Sequence, residues 1–259
     1  MRFQLLDNYK DTIVVYPSEH YIFSVPKGSL AEHDVESIIS KQEQCYQGFQ
    51  EAFKVKSQLT IHYYLFNSSI ECGKQYRHLY PEEYSSSEPD EAVNGYTYYP
   101  DKIFATYNDT VKCMGYHEDV HILMDEQYGD ICSCFVKEGI AMAFDKVWWG
   151  IDNKYWAKVI IQKGLLKNLV PMFDNEEFFK YDERLTYPVA GTFTEWLLVH
   201  IGLEEYKKYY KSFIIKESFP SITFREAIVE GFIKSINDIE IDKETEDTIE
   251  KSIKKTLKE

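Results

Sequence analysis

Two histidines stand four residues apart in GYHEDVHILM, residues 115–124, with a glutamate directly after the first. On a helix, positions i and i+4 share one face, one turn above the other. His117 and His121 placed in that way can both reach one ion, at ligand distances of about 2.0–2.1 Å. Glu118 then projects to one side of the pair. From there it can reach a water on the metal without being a ligand. This geometry is why HExxH on a helix signals zinc-dependent hydrolysis. The alternative is a polar, partly buried helix face with no ion on it.

A catalytic zinc site takes three protein ligands and leaves its fourth position open to water. The third is expected from a neighbouring helix, and the next helical segment is SCFVKEGIAMAFDKVWW, 133–149. Sixteen residues separate His121 from Glu138. That is enough chain to end one helix, turn, and bring a second back across it. Gly139 and Ala141 permit close approach between helices. Glu138 stands among Cys134, Phe135, Val136, Ile140, Met142 and Phe144. An unpaired carboxylate buried there is costly and a metal stabilises it, so a ligand is favoured over a surface glutamate. Two histidines and a carboxylate also suit other divalent ions, so zinc, one per chain, is an inference from the motif.

At these residues the chain resembles the gluzincin metallopeptidases, in particular their peptidase MA-like and aminopeptidase-N-like branch. HEDVH (117–121) matches HExxH. KEGIAMAFD (137–145) is similar to the family's Glu-Gly-Leu/Phe-Ala segment, which carries the third ligand. LTYPVAGTFTEWLLVHIG (185–202) resembles the helix that follows. The blocks keep the family's order and cover residues 95–205, with the strand at 58–66 matched more loosely.

The resemblance implies roles by position. His117, His121 and Glu138 would bind zinc. Glu118 would be the general base, taking a proton from the attacking water and passing it to the leaving amine. Tyr187, a tyrosine shortly before a small-residue helix start, would stabilise the oxyanion, with the zinc supplying the larger share. Tyr181 is the fallback for that role, and Tyr116 lies nearby. Asp145 would either orient a zinc histidine or be a surface aspartate. The strand KIFATYN (102–108) would be the sheet edge on which an extended peptide pairs. The sequence departs from the family in three ways. Asp119 puts a charge between the histidines. Tyr187 to Gly191 is one residue longer than in the aminopeptidases. No Gly-x-Met-Glu-Asn segment, which holds a substrate's free amine, is found. An endopeptidase is therefore expected rather than an aminopeptidase. A catalytically inert zincin-like binding module is the alternative.

The elements that must position these residues read as α+β, of the zincin-like kind. Residues 1–126 form an N-terminal mixed-sheet lobe including the HExxH helix, and 127–259 a C-terminal helical lobe. Strands are expected at 11–17, 21–25 and 58–66, with a hairpin at 95–100 and 102–108. One long helix is expected at 29–55, and a polar loop ending at 80–95. After Asn108 the pattern reads as helix at 109–126, 132–147, 153–165, 187–200, 202–213, 221–234 and 243–258. The last is a solvated amphipathic helix packed on its Ile and Leu side. The stretch 107–145 is expected where the lobes meet, a common place for active sites.

Composition narrows the rest. A net charge of −14 with no Lys/Arg stripe argues against nucleic acid as a partner and reads as solubility or a preference for cationic substrates, while a peptide or protein substrate is what the resemblance implies. The five cysteines are scattered and make no disulfide framework. Cys132 and Cys134 are too close together for a metal knuckle. No stretch is long and apolar enough to span a membrane. MRFQLLDNYKDT has no basic region followed by an apolar run, so no signal peptide is expected. A cytoplasmic chain is the default, and a secreted one with its leader removed stays open. Oligomeric state is not set. His20, His33, His62, His78 and His200 lack helical partners at metal spacing, and Trp148 and Trp149 read as packing or a cleft wall, with a dedicated binding role as the alternative. P-loop and Gly-x-Ser-x-Gly motifs are absent.

Overall fold

The computed structural model describes residues 5–6, 12–83, 89–131, 133–166, 168–213 and 222–256. Most of the leading dodecapeptide, Cys132, the middle of the polar loop at 84–88 and the helix end expected at 257–258 lie outside the described residues. The chain is mixed α and β and divides into two compact units, Met1–Gln127 and Tyr128–Glu259.

The first unit is built on a five-stranded mixed sheet. Its strands are β1 (Ile13–Pro17), β2 (Tyr21–Pro26), β3 (Ile61–Phe66), β4 (Gly95–Tyr98) and β5 (Lys102–Thr106), in the order β1-β2-β3-β5-β4. The β2–β3 and β3–β5 pairs are parallel, and the two outer pairs are antiparallel. β3 explains its own sequence. As the central strand it is covered on both faces, so IHYYLF is apolar nearly throughout rather than alternating. On one side Tyr21, Phe23 and Tyr63 stack ring on ring. On the other, Tyr64, Phe66, Tyr96 and Phe104 form a second cluster with Cys72 and Leu79.

Helices flank this sheet. The expected helix at 29–55 is two: α1 (Leu30–His33), capped by Ser29, and α2 (Val35–Phe53). Asp34 separates them, held by the Tyr107 hydroxyl at 2.9 Å. α2 buries Ile38, Gln42, Cys45, Tyr46, Phe49 and Phe53, the stripe its period foretells. The region read as polar before residue 80 contains a further helix, α3 (Ser69–Leu79), capped by Ser68. Its Gly73 is needed: a Cβ there would collide with the Glu91 carbonyl oxygen. The HExxH helix, α4 (His117–Tyr128), begins eight residues later than expected from 109. The Asn108 side chain accepts from the Thr110 and Val111 amides and turns the chain first. β5 is not the sheet edge either. β3 and β4 flank it, and β4 is the edge strand.

The second unit is helical. It contains α5 (Cys134–Asp145), a two-residue-loop hairpin of β6 (Val147–Trp148) and β7 (Ile151–Asp152), α6 (Asn153–Gln162), and a short α7 (Asn175–Phe178). There follow α8 (Glu183–Ile201), α9 (Leu203–Lys211), α10 (Ile222–Asn237) and α11 (Lys243–Thr256). α5 packs on α8 through glycines. A Cβ on Gly139 would come within 2.5 Å of Thr194 Oγ1, and one on Gly191 within 2.6 Å of Met142 Cβ. α11 packs through buried Ile249 and Ile253, and Lys163 pairs with Glu250 at 2.6 Å. Each of those isoleucines contributes about 1.5–3 kcal/mol by burial. Among the described residues no helix is long and apolar enough to cross a membrane, and no disulfide forms.

Candidate metal centre

The site starts from the first turn of α4. Glu118 and Asp119 are the acidic residues there, and a helix N-terminus favours negative charge. His117 and His121 share one face. Their Nε2 atoms lie 3.3 Å apart, with the rings close to perpendicular at 88° and 4.8 Å between centroids. Two nitrogen ligands of one tetrahedral ion stand about this far apart. His121 is buried and His117 half-buried.

Asp119 does not stand between the imidazoles. Two residues on from His117, it points to another side of the helix and is fully buried. Its carboxylate accepts from the Tyr21 hydroxyl and, at 3.0 Å, from Gln42 Nε2. Gln42 Nε2 also donates to the Gly115 carbonyl at 3.0 Å, at the turn into the helix. The network ties α4 to β2 and α2. Burial pushes the Tyr21 phenol well above its ordinary range, and the neighbouring Asp119 charge pushes it further. Tyr63 is raised in the same way, by burial first and then by Asp119. Both therefore stay protonated, and Tyr21 remains a donor to the aspartate.

Glu118 is buried against the edge strand. Its Oε1 lies 3.0 Å from where a Cβ on Gly95 would stand, and Cys113 Sγ lies 2.5 Å from the same point. Only a glycine lets β4 pass this close to the carboxylate. Burial raises the Cys72 thiol, and the Glu118 charge adds to that.

Glu138 is half-buried on α5, whose neighbouring positions 135, 136 and 139–143 are buried. Burial pushes the Cys134 thiol up to about 11, with the Glu138 charge contributing. Among the described residues, His117, His121 and Glu138 are a group able to hold a metal ion: one ligand atom from each lies within 4.8 Å of the others. Glu19, His20 and Glu43 are a second such group. There, however, His20 Nδ1 and Glu43 Oε2 contact each other directly at 2.6 Å. The other Glu43 oxygen accepts from Ser18 Oγ and the His20 amide. This is a hydrogen-bonded brace whose acceptors are already engaged.

The tyrosines sit differently from the expectation. Tyr187 does not precede a helix: α8 starts at Glu183, capped by Asp182, so Tyr187 lies in its second turn. Pro188 lies inside the helix, where it cannot donate to the Arg184 carbonyl four residues back. The half-buried Tyr187 ring packs on Trp148 and Phe178. Tyr181 lies in the turn before α8. Tyr116 packs on Gly48 of α2, its hydroxyl 2.5 Å from where a Cβ would be. Asp145 is the half-buried last residue of α5. Sequence reasoning passed over Gly95, Tyr21 and Gln42. Of these only Gly95 carried a signal, as a glycine inside a strand pattern.

No family model, no curated protein and no solved structure matches this chain.

Proposed function

We propose that the protein is a zinc-dependent peptidase of gluzincin type, an endopeptidase rather than an aminopeptidase. The observation that carries this reading is the pair of imidazole Nε2 atoms 3.3 Å apart on the first turns of α4, with the buried Glu118 carboxylate beside them. The donor set suits the ion: two neutral nitrogen donors and one carboxylate. His117, His121 and Glu138 would hold it. A bound zinc supplies Lewis acidity, bringing a water toward hydroxide near neutral pH.

The chain's own residues carry the remaining work. Glu118 takes the proton from the attacking water on its carboxylate and returns it to the leaving amine. The edge strand β4, beside Glu118, offers backbone groups to an extended peptide. Asp119, Tyr21 and Gln42 hold the helix so that the imidazoles keep their positions.

The test is hydrolysis of a peptide library and of an unfolded protein by wild type and Glu118→Gln, with zinc content measured on both. The expected result is one zinc per chain in each and turnover only in wild type. Full activity in Glu118→Gln removes the mechanism. Bound zinc with no turnover of any substrate by wild type favours the inert binding module instead.

A further inference from the structure

Arg225 carries its charge where its own helix opposes it. It stands at the end of the first turn of α10, a turn with no acidic residue. A helix N-terminus is partially positive and favours anions, so an arginine there is held against the field. The guanidinium lies over the Phe173 ring, 6.0 Å from its centroid. Arg225 is half-buried, and its Nε, shielded from solvent, has no hydrogen-bond partner among the described residues. Nor does any described carboxylate pair with it, in a chain with 43 acidic residues against 29 basic ones.

A second donor belongs to the same cluster. Tyr209 on α9 is 6% exposed, and its buried hydroxyl is likewise without a partner among the described residues. Rings link the two donors. Phe173 lies 6.0 Å from Phe213, Phe213 5.1 Å from Tyr209, and Tyr209 6.5 Å from Phe224, the residue before Arg225. Burial pushes the Tyr209 phenol well above its ordinary range, with the Tyr206 phenol adding to that and the Arg225 charge acting against it. Tyr209 therefore stays protonated, as a donor rather than the counter-charge for Arg225. Buried polar atoms in folded proteins are nearly always bonded, to protein, water or a bound ion. A water would satisfy either donor but leave the charge uncompensated. An oxyanion suits a guanidinium edge, a hydroxyl and a helix start together.

We infer that Arg225 and Tyr209, at the start of α10, form a binding site for a small oxyanion, a carboxylate or a phosphate. The site requires neither the metal centre nor peptidase activity.

The test titrates the full chain with inorganic phosphate and, separately, with acetate, at fixed pH and ionic strength. Binding is read by calorimetry and by the midpoint of thermal unfolding. Wild type should bind one anion per chain, with a saturable rise in the midpoint. Arg225→Met keeps an apolar stem over Phe173 and should weaken binding about tenfold or more. Arg225→Lys keeps the charge without the planar fork and should also bind less tightly. Tyr209→Phe gives the readout that a packing role would not move. It deletes an unpaired hydroxyl, so stability without anion should hold or rise while anion affinity falls. Saturable binding of either anion that is weakened in Arg225→Met and Tyr209→Phe upholds the site, and the anion that binds names its class. Where Arg225→Met does not fold, Tyr209→Phe decides alone. No saturable binding of either anion by wild type overturns the site, because water then satisfies the donors. Binding by the variants as tight as by wild type also overturns it, because the anion is then held elsewhere on the chain.

Discussion

Glu118 keeps its Oε1 against the backbone of Gly95, 3.0 Å from the point where a side chain on that residue would begin. The carboxylate proposed as general base is therefore held beside the edge strand by the absence of a methyl group. Gly95→Ala would force that group onto Cys113 Sγ and the carboxylate together. Overpacking of this kind costs about 1–3 kcal/mol. Urea unfolding should show that loss, and peptide hydrolysis should fall more than the folded fraction does. Wild-type stability and turnover in Gly95→Ala would mean that the strand moves freely and does not position Glu118.

The network beneath the histidines gives a second expectation. Asp119→Ala removes the buried acceptor that the Tyr21 hydroxyl and Gln42 Nε2 share, leaving them the Gln42 and Gly115 carbonyls. A loss of about 1–3 kcal/mol is expected. Asp119→Asn keeps an oxygen acceptor and should lose less. A double-mutant cycle of Asp119→Asn with Tyr21→Phe should return a coupling of about 1 kcal/mol or more. Additive single effects would show that Tyr21 and Asp119 do not act as a pair.

The parts of this arrangement that were readable from sequence are those that local chemistry fixes. The His117–His121 spacing, the apolar stripe of α2 and the Ile face of α11 follow from helical period. Long-range choices were not readable. Nothing local reveals strand order, so KIFATYN reads as an edge although β5 is interior. That order depends on the parallel β3–β5 pairing, which needs a crossover. Part of the crossover is α3, which Gly73 and a polar composition disguised. The start of α4 was misplaced because one Asn108 side chain turns the chain over the eight residues before His117. The Asp182 cap moves the start of α8 four residues upstream of the expected 187, which puts Tyr187 inside the helix. The aspartate inside the motif looked like a defect until its partners, 98 and 77 positions away in sequence, were in place.

The Asp182 cap should be visible in acid. Hydrogen bonds from the Arg184 side chain hold its carboxyl below the usual range, helped by the Arg184 amide and opposed by partial burial. The folded value lies below the unfolded one. The stabilisation is thus present above pH of about 4 and lost as pH falls through the folded value. Side-chain exposure of 32% on both partners keeps it small, under about 1 kcal/mol. Wild type should exceed Asp182→Asn in urea unfolding at pH 6, with the gap closing as pH falls through the folded value. A gap that stays constant through acid would show that the ionised carboxylate is not what stabilises the helix start.

Metal binding should couple the three ligands to stability. An ion that binds only the folded chain stabilises it by about 2.7 kcal/mol at a hundredfold excess over Kd. In a chain of this size that raises the midpoint of thermal unfolding by about 5 °C or more. Added zinc should therefore raise the midpoint of wild type and leave His121→Ala unmoved. Glu118→Gln should respond like wild type, because Glu118 is not a ligand. Glu138→Gln discriminates most sharply. A neutral amide is a poor zinc ligand, so its response should fall well below that of wild type. If Glu138→Gln gains as much from zinc as wild type does, the ion is held by the histidines with some other group, and the third-ligand assignment fails while the helical pair survives.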